Sequence, residues 1–261
     1  MWAIFSKKTA ASRGHLFGPS GLTGGFGIMP TPSDEPATQQ EIIEVIDAYV
    51  KAVLSAKQLG LDGVELHAGD GYLLDQFFWA KSNIRTDRYG GNLIQRTRIT
   101  VEIVEEIKRR TGSDFPVMLR FSQWKMHDFT AKLFSTPADM EAFLNPLVAA
   151  GVDAVHASQR RFWEGEFDTD LNLAGWAQKL SGKPGITVGQ VALQRDLIES
   201  FSGPGSDLAD NLPLLRETMS LGDFDFVAVG RAFIANPDWP QRVRSGQSLR
   251  SYEASALSQL V

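Results

Sequence analysis

With 261 residues and a hydrophobic fraction of 43%, the chain can bury one sizeable core, enough for a single α/β barrel or two small domains. Charged residues of both signs are interleaved, and a net charge of −5 gives no reason to expect nucleic acid or an anionic membrane as a partner. The lack of cysteine excludes disulfides, thiolate catalysis and cysteine-ligated zinc or iron–sulfur clusters. No apolar run is long enough to span a bilayer. The short apolar stretch at the N-terminus precedes Lys7 and Lys8 instead of following them, which is not a signal-peptide pattern. The expectation is a soluble cytoplasmic protein.

Residues 1–38 are rich in Gly, Pro, Ser and Thr, as in Gly18-Pro19-Ser20-Gly21 and Pro30-Thr31-Pro32, and read as an irregular N-terminal segment. Trp2–Phe5 could form one short strand. From Gln39 a repeating pattern begins. Ile42, Ile43, Ile46, Tyr49, Val50, Val53 and Leu54 recur at helical spacing, with Thr38 and Glu41 as a capping box and Gly60 as the stop. A strand-like run, Gly63–His67, follows. A helix over about Leu93–Arg110 leads to Pro116–Arg120, and one over Pro137–Ala150 leads to Val152–His156. A helix near Leu173–Leu180 leads to Gly185–Gly189, and one near Asn211–Leu221 leads to Phe224–Gly230. Five buried strands, each preceded by a helix, predict parallel pairing. Polar or special residues sit at or just past most strand ends: His67, Arg120, His156, Gly189 and Gly230-Arg231. Barrel enzymes place their chemistry there, so the predicted fold class is α/β, a TIM (β/α)8-type barrel that is incomplete, with five to six of eight strands. An open doubly wound sheet is the alternative. The domain reading is one partial barrel domain over residues 1–261.

Several residues could carry chemistry. Gly189 and Gly230-Arg231 end the last two strands, where barrels often bind phosphate through backbone N–H groups and a bidentate guanidinium. They could equally be tight turns and a surface charge. His67-Ala68-Gly69-Asp70-Gly71-Tyr72 brings an imidazole, a carboxyl and a phenol within six residues, able to donate to a carbonyl oxygen and to give a proton. The competing reading is a capped strand-to-loop transition. His67 and Asp70 alone make a weak metal site, because a third ligand is not nearby. Arg120 ends an apolar strand, where a charge needs an anion, a polar ligand or a structural salt bridge. His156 reads as a satisfied core histidine. Arg85–Gly91 reads as a polar loop tied by ion pairs.

Together these segments resemble the old yellow enzyme family, the NADH:flavin oxidoreductases. The matching stretches are Asp62–Phe78 (DGVELHAGDGYLLDQFF), Ser82–Arg98 (SNIRTDRYGGNLIQRTR), Pro116–Ser122 (PVMLRFS), Lys183–Gly189 (KPGITVG) and Phe226–Pro237 (FVAVGRAFIANP), in the family's order. The resemblance implies FMN held noncovalently, a hydride taken from NADH or NADPH, and its delivery to the β-carbon of an electron-poor alkene such as an α,β-unsaturated carbonyl. It implies that His67 holds the carbonyl oxygen, Tyr72 protonates the α-carbon, Arg120 lies at the flavin N1 and C2 carbonyl, and Gly189, Gly230 and Arg231 cradle the phosphate.

Two departures follow. Asp70 stands where the family usually has Asn or His as a second donor to the carbonyl oxygen. An ionised carboxylate only accepts, whereas a carboxyl kept protonated by burial would donate. The resemblance also begins at the family barrel's fourth strand, leaving unmatched the strands that contact the isoalloxazine ring near N5 and implying exposed sheet edges. A complementing N-terminal fragment or a homo-oligomer is then a possible partner, besides the small-molecule substrate. The alternative function is a catalytically silent barrel fragment that binds a phosphate compound or a protein through the Gly189 and Gly230-Arg231 cradle. A phosphate-ester lyase or isomerase would need a strand lysine that is missing here.

Overall fold

A computed structural model describes residues 16–201 and 203–259. In chain order the elements are β1 (Leu22–Thr23), β2 (Thr31–Pro32), α1 (Gln39–Gln58), β3 (Val64–His67), α2 (Leu73–Phe78), α3 (Leu93–Arg96), α4 (Arg98–Thr111), β4 (Val117–Phe121), α5 (Pro137–Ala150), β5 (Ala154–Ser158), α6 (Leu173–Ser181), β6 (Gly185–Val188), α7 (Leu197–Phe201), β7 (Gly205–Ser206), α8 (Leu212–Ser220), β8 (Phe226–Ala228), α9 (Arg231–Ala235), α10 (Trp239–Ser245) and β9 (Tyr252–Glu253), followed by a 3₁₀ turn over Ala254–Gln259. The chain is α/β, and β3, β4, β5, β6 and β8 belong to a parallel five-stranded sheet. That is five of the eight strands of a closed barrel. The described residues fall into two compact units: one holds residues up to 155 with 179–183, the other residues 156–178 and 184 onward.

In the first unit, α1 forms as the sequence predicts. Thr38 accepts from the Glu41 N–H, and Glu41 closes the box on the Thr38 N–H. Ile42, Val45, Val50 and Val53 make its buried stripe. The helix packs against α4, whose Ile99, Ile103 and Ile107 are fully buried. The single helix predicted over Leu93–Arg110 is two. Asn92 caps α3 with Gln95 as its box partner, and the Thr97 hydroxyl and N–H both turn back to the Ile94 carbonyl, so α4 starts afresh at Arg98. The predicted loop of residues 1–38 contains, in its described part, a short antiparallel pair in which Leu22 faces Pro32 and Thr23 faces Thr31. Arg85 ties this segment down: its guanidinium donates to the Pro19 and Ala37 carbonyls while pairing bidentately with Asp87. Trp2–Phe5 lies outside the described residues.

Strands β3 and β4 pair in parallel, with Val64 opposite Val117 and His67 opposite Arg120. Along β4, Val117, Leu119 and Phe121 are buried, whereas Met118 and Arg120 lie on the other face and are partly accessible. Phe121 belongs to an aromatic cluster with Phe134 and Phe143, and Phe143 also meets Phe78 edge-on at 4.9 Å. The two-residue alternation of a strand therefore commits Phe121 to the layer of helices and Arg120 to the opposite face.

In the second unit, β6 and β8 pair in parallel, Ile186 with Phe226 and Val188 with Ala228. The last predicted strand, Phe224–Gly230, is shorter than its apolar run, because Phe224 is core while Asp225 turns back to Gly185 through its N–H. The short pair β7/β9 and the helices α7, α9 and α10, like α2 in the first unit, have too few periodic residues to stand out in the sequence.

Candidate active site

In the first unit, four of the residues singled out in the sequence lie together. His67 and Arg120 are register partners at the ends of β3 and β4. The chain then turns through Ala68 and Gly69 into Asp70, whose φ of 61° is left-handed. Short polar side chains tolerate that region better than most. This turn brings the Asp70 carboxyl to 3.9 Å from His67 Nε2 and 3.8 Å from Arg120 Nη2. Tyr72 caps α2 in extended conformation, and its ring lies 4.5 Å from the His67 ring, tilted by 48°.

The electrostatics suit proton donation. Burial holds the His67 imidazole below its ordinary value, against the pull of Asp70. A neutral imidazole keeps one N–H to donate. Among the described residues His67 Nδ1 is buried without a hydrogen-bond partner, a cost that a polar ligand group there would offset. Burial, then Asp70, raises the Tyr72 phenol above its ordinary 10, so the group stays protonated through the neutral range.

Beneath these groups lies a pair that sequence reasoning missed. Asp75 and Lys125 are both fully buried, with Nζ 2.8 Å from Oδ1. Burial pushes Asp75 up to about 6, although Lys125 and the Gly71 N–H pull the other way. Asp75 follows Tyr72 by three residues in an apolar helix, which is a detectable signal. Lys125 lies in a loop that gave none.

In the second unit, Gly189 ends β6 with φ 132°, and a Cβ there would come within 2.7 Å of the Gln159 carbonyl oxygen and 2.8 Å of Arg160. Only glycine lets the backbone pass so close. At Gly230 a Cβ would meet nothing within 4 Å, so that backbone faces open space. Arg231 is partly engaged: Nη1 donates to the Asp196 carbonyl and to the Ser200 hydroxyl, and Nη2 to the Arg195 carbonyl. Among the described residues its Nε–H and one Nη2–H make no hydrogen bond. Asp196, fully buried, takes Arg160 through both Nε and Nη2 and also Arg161 at 3.2 Å. Burial opposes its ionisation, but the Glu199 N–H and Arg160 together hold the carboxyl below its ordinary range. His156 is buried. Among the described residues no cluster of three His, Asp or Glu could hold a metal ion, and no helix is long and apolar enough to cross a membrane.

Within the first unit the partly exposed Arg120 guanidinium is a cation that suits a group gaining negative charge. Within the second, the open backbone at Gly230 and the Arg231 guanidinium are donors of the kind a phosphate takes.

The sequence profile of the NADH:flavin oxidoreductase / NADH oxidase family matches residues 21–208. The chain belongs to that family. It is 32% identical to the NADH oxidase of Thermoanaerobacter brockii, over 80% of this chain and 30% of that protein. It is 32% identical to flavin oxidoreductase hxnT of Emericella nidulans, over 84% of this chain and 56% of that protein. It is also 32% identical to the cinnamate reductase of Clostridium sporogenes, over 82% and 33%. The chain thus spans between about a third and just over half of these relatives. In structure it resembles morphinone reductase in complex with tetrahydroNAD, with a TM-score of 0.70 at 23% identity over 93% of this chain and 62% of that one. The old yellow enzyme of Pichia sp. AKU4542 gives 0.70 at 22% over 95% and 61%. The fold is that of these barrels, over about three fifths of their length.

Proposed function

We propose that the chain is the catalytic portion of an FMN-dependent oxidoreductase of the old yellow enzyme type, acting on electron-poor alkenes such as α,β-unsaturated carbonyls. In this reading the chain forms a single, partial flavin-binding barrel domain. The observation that carries the reading is the convergence of His67, Asp70, Tyr72 and Arg120 at the ends of β3 and β4. Bound FMN would supply a carrier that accepts a hydride from NADH or NADPH and passes it to the alkene. Arg120 is assigned to the N1 and C2 carbonyl edge of the flavin, and Gly189, Gly230 and Arg231 to its phosphate. His67, neutral at pH 7, donates its N–H to the substrate carbonyl oxygen and stabilises the negative charge that collects there. The Tyr72 hydroxyl, protonated over the same range, delivers the proton to the α-carbon.

The test is NADH or NADPH consumption that requires both FMN and an enone, measured with 2-cyclohexenone under nitrogen. Consumption that is unaffected by leaving out the enone would overturn the alkene as substrate.

Asp70 works against that substrate. Its carboxyl faces both His67 and Arg120, the groups that meet an oxyanion, and an ionised carboxylate there repels the same charge. Asp70→Asn is expected to raise enone turnover roughly tenfold, the worth of one added hydrogen bond to developing charge. Unchanged or lower turnover in the same assay counts against this role.

A further inference from the structure

We infer that the buried Asp75–Lys125 pair is a positioning device that fixes the Asp70 turn and Tyr72 beside His67 through the Gly71 N–H; this rests on the roles proposed above for those groups. Two charges with no exposure make a poor stability element, since a buried ion pair gains little over a well-packed apolar pair of similar volume. The way the pair is wired supplies another purpose. Asp75 Oδ2 accepts the Gly71 N–H at 2.7 Å, inside the loop that follows β3. Asp75 Oδ1 takes Lys125 Nζ at 2.8 Å, and the same ammonium donates to the Ser122 carbonyl at 3.0 Å, inside the loop that follows β4. One carboxylate therefore clamps two loops together.

Neighbouring bonds run between the same loops. The Asp70 N–H donates to Ser122 Oγ at 2.6 Å, Ser122 Oγ donates to the Trp124 carbonyl at 2.7 Å, and the Met126 N–H donates to the Asp70 carbonyl at 3.1 Å. A non-glycine residue at φ 61° persists only where its surroundings over-determine it. Gly71, the next residue, is also left-handed at 86°, and its N–H is the one that Asp75 holds. Releasing that N–H loosens the Gly71 end of the turn, next to Tyr72, while Ser122 and the Met126 N–H still hold the Asp70 backbone. The Tyr72 ring, which follows Gly71 directly, would then shift from its place beside His67.

The test separates the acceptor from the charge. Asp75→Asn/Lys125→Met removes both charges and keeps an oxygen for the Gly71 N–H. Asp75→Leu/Lys125→Met removes both charges and the acceptor. The first readout needs no flavin. The chain has four tyrosines, so the ring-labelled NMR signal of Tyr72, assigned by its loss in Tyr72→Phe, reports its surroundings and its titration. The Asn/Met pair should keep the parent signal and titration, whereas the Leu/Met pair should shift both. In the FMN-loaded protein, bleaching by NADPH should match the parent in both, and reoxidation by 2-cyclohexenone should slow about tenfold or more in the Leu/Met pair alone. A parent-like Tyr72 signal in a folded Leu/Met variant would overturn the inference, as would equal perturbation or unfolding of both double variants. Failure to hold FMN would sink the functional proposal and leave the tyrosine readout standing.

Discussion

Asp75→Ala is expected to cost about 3–5 kcal/mol of stability, the penalty for leaving a buried charge without its partner. In a chain of this size that lowers the thermal midpoint by roughly 10 °C. Lys125 has no exposed path for its ammonium, since its side chain is fully buried between Asp75 and the Ser122 carbonyl. The small cavity left by the truncation adds to the loss. Urea titration of both proteins followed by circular dichroism checks the value. A loss under about 1 kcal/mol would mean that Lys125 finds another counter-ion, and the clamp between the two loops would need redrawing.

Tyr72→Phe should slow alkene reduction by about 10²–10⁴, the usual worth of a positioned general acid. The ring stays, so its packing on His67 is kept and only the hydroxyl is lost. Hydride uptake from NADPH needs no proton from this group and should remain at the parent rate. The pH profile carries the same signature. Because burial and Asp70 raise the phenol above 10, the alkaline fall in the reoxidation rate should lie above that value in the parent and vanish in the variant. Stopped-flow reoxidation with 2-cyclohexenone across pH measures both. A variant that reoxidises at the parent rate would move the proton donor elsewhere, with His67 the next group to examine.

The strands and long helices were legible because their signals are local. The capping box at Thr38 and Glu41, the apolar stripe of α1 and the helix over Pro137–Ala150 are written in a few adjacent residues. The site was legible as a list of residues at strand ends, because a parallel α/β order already says where strand ends gather. Its wiring was not. Asp75 and Lys125 are fifty positions apart, and nothing in residue type or spacing says that they meet. Arg231 reads in sequence either as a phosphate donor or as a surface charge, but much of its guanidinium is engaged by the Asp196 and Arg195 carbonyls and the Ser200 hydroxyl. Asp196 itself, the anchor of Arg160 and Arg161, looks in sequence like any loop aspartate. Long-range pairings of this kind depend on the loop paths, and short polar loops carry no periodicity from which to read them.

Flavin binding tests the central claim most directly. The purified chain is mixed with FMN, freed of unbound flavin by gel filtration, and its visible spectrum recorded under nitrogen before and after NADH or NADPH. The account expects a retained yellow chromophore that bleaches with one of the two, with retention weakened in Arg120→Ala. A colourless protein, or a retained flavin that neither nucleotide reduces, would contradict it.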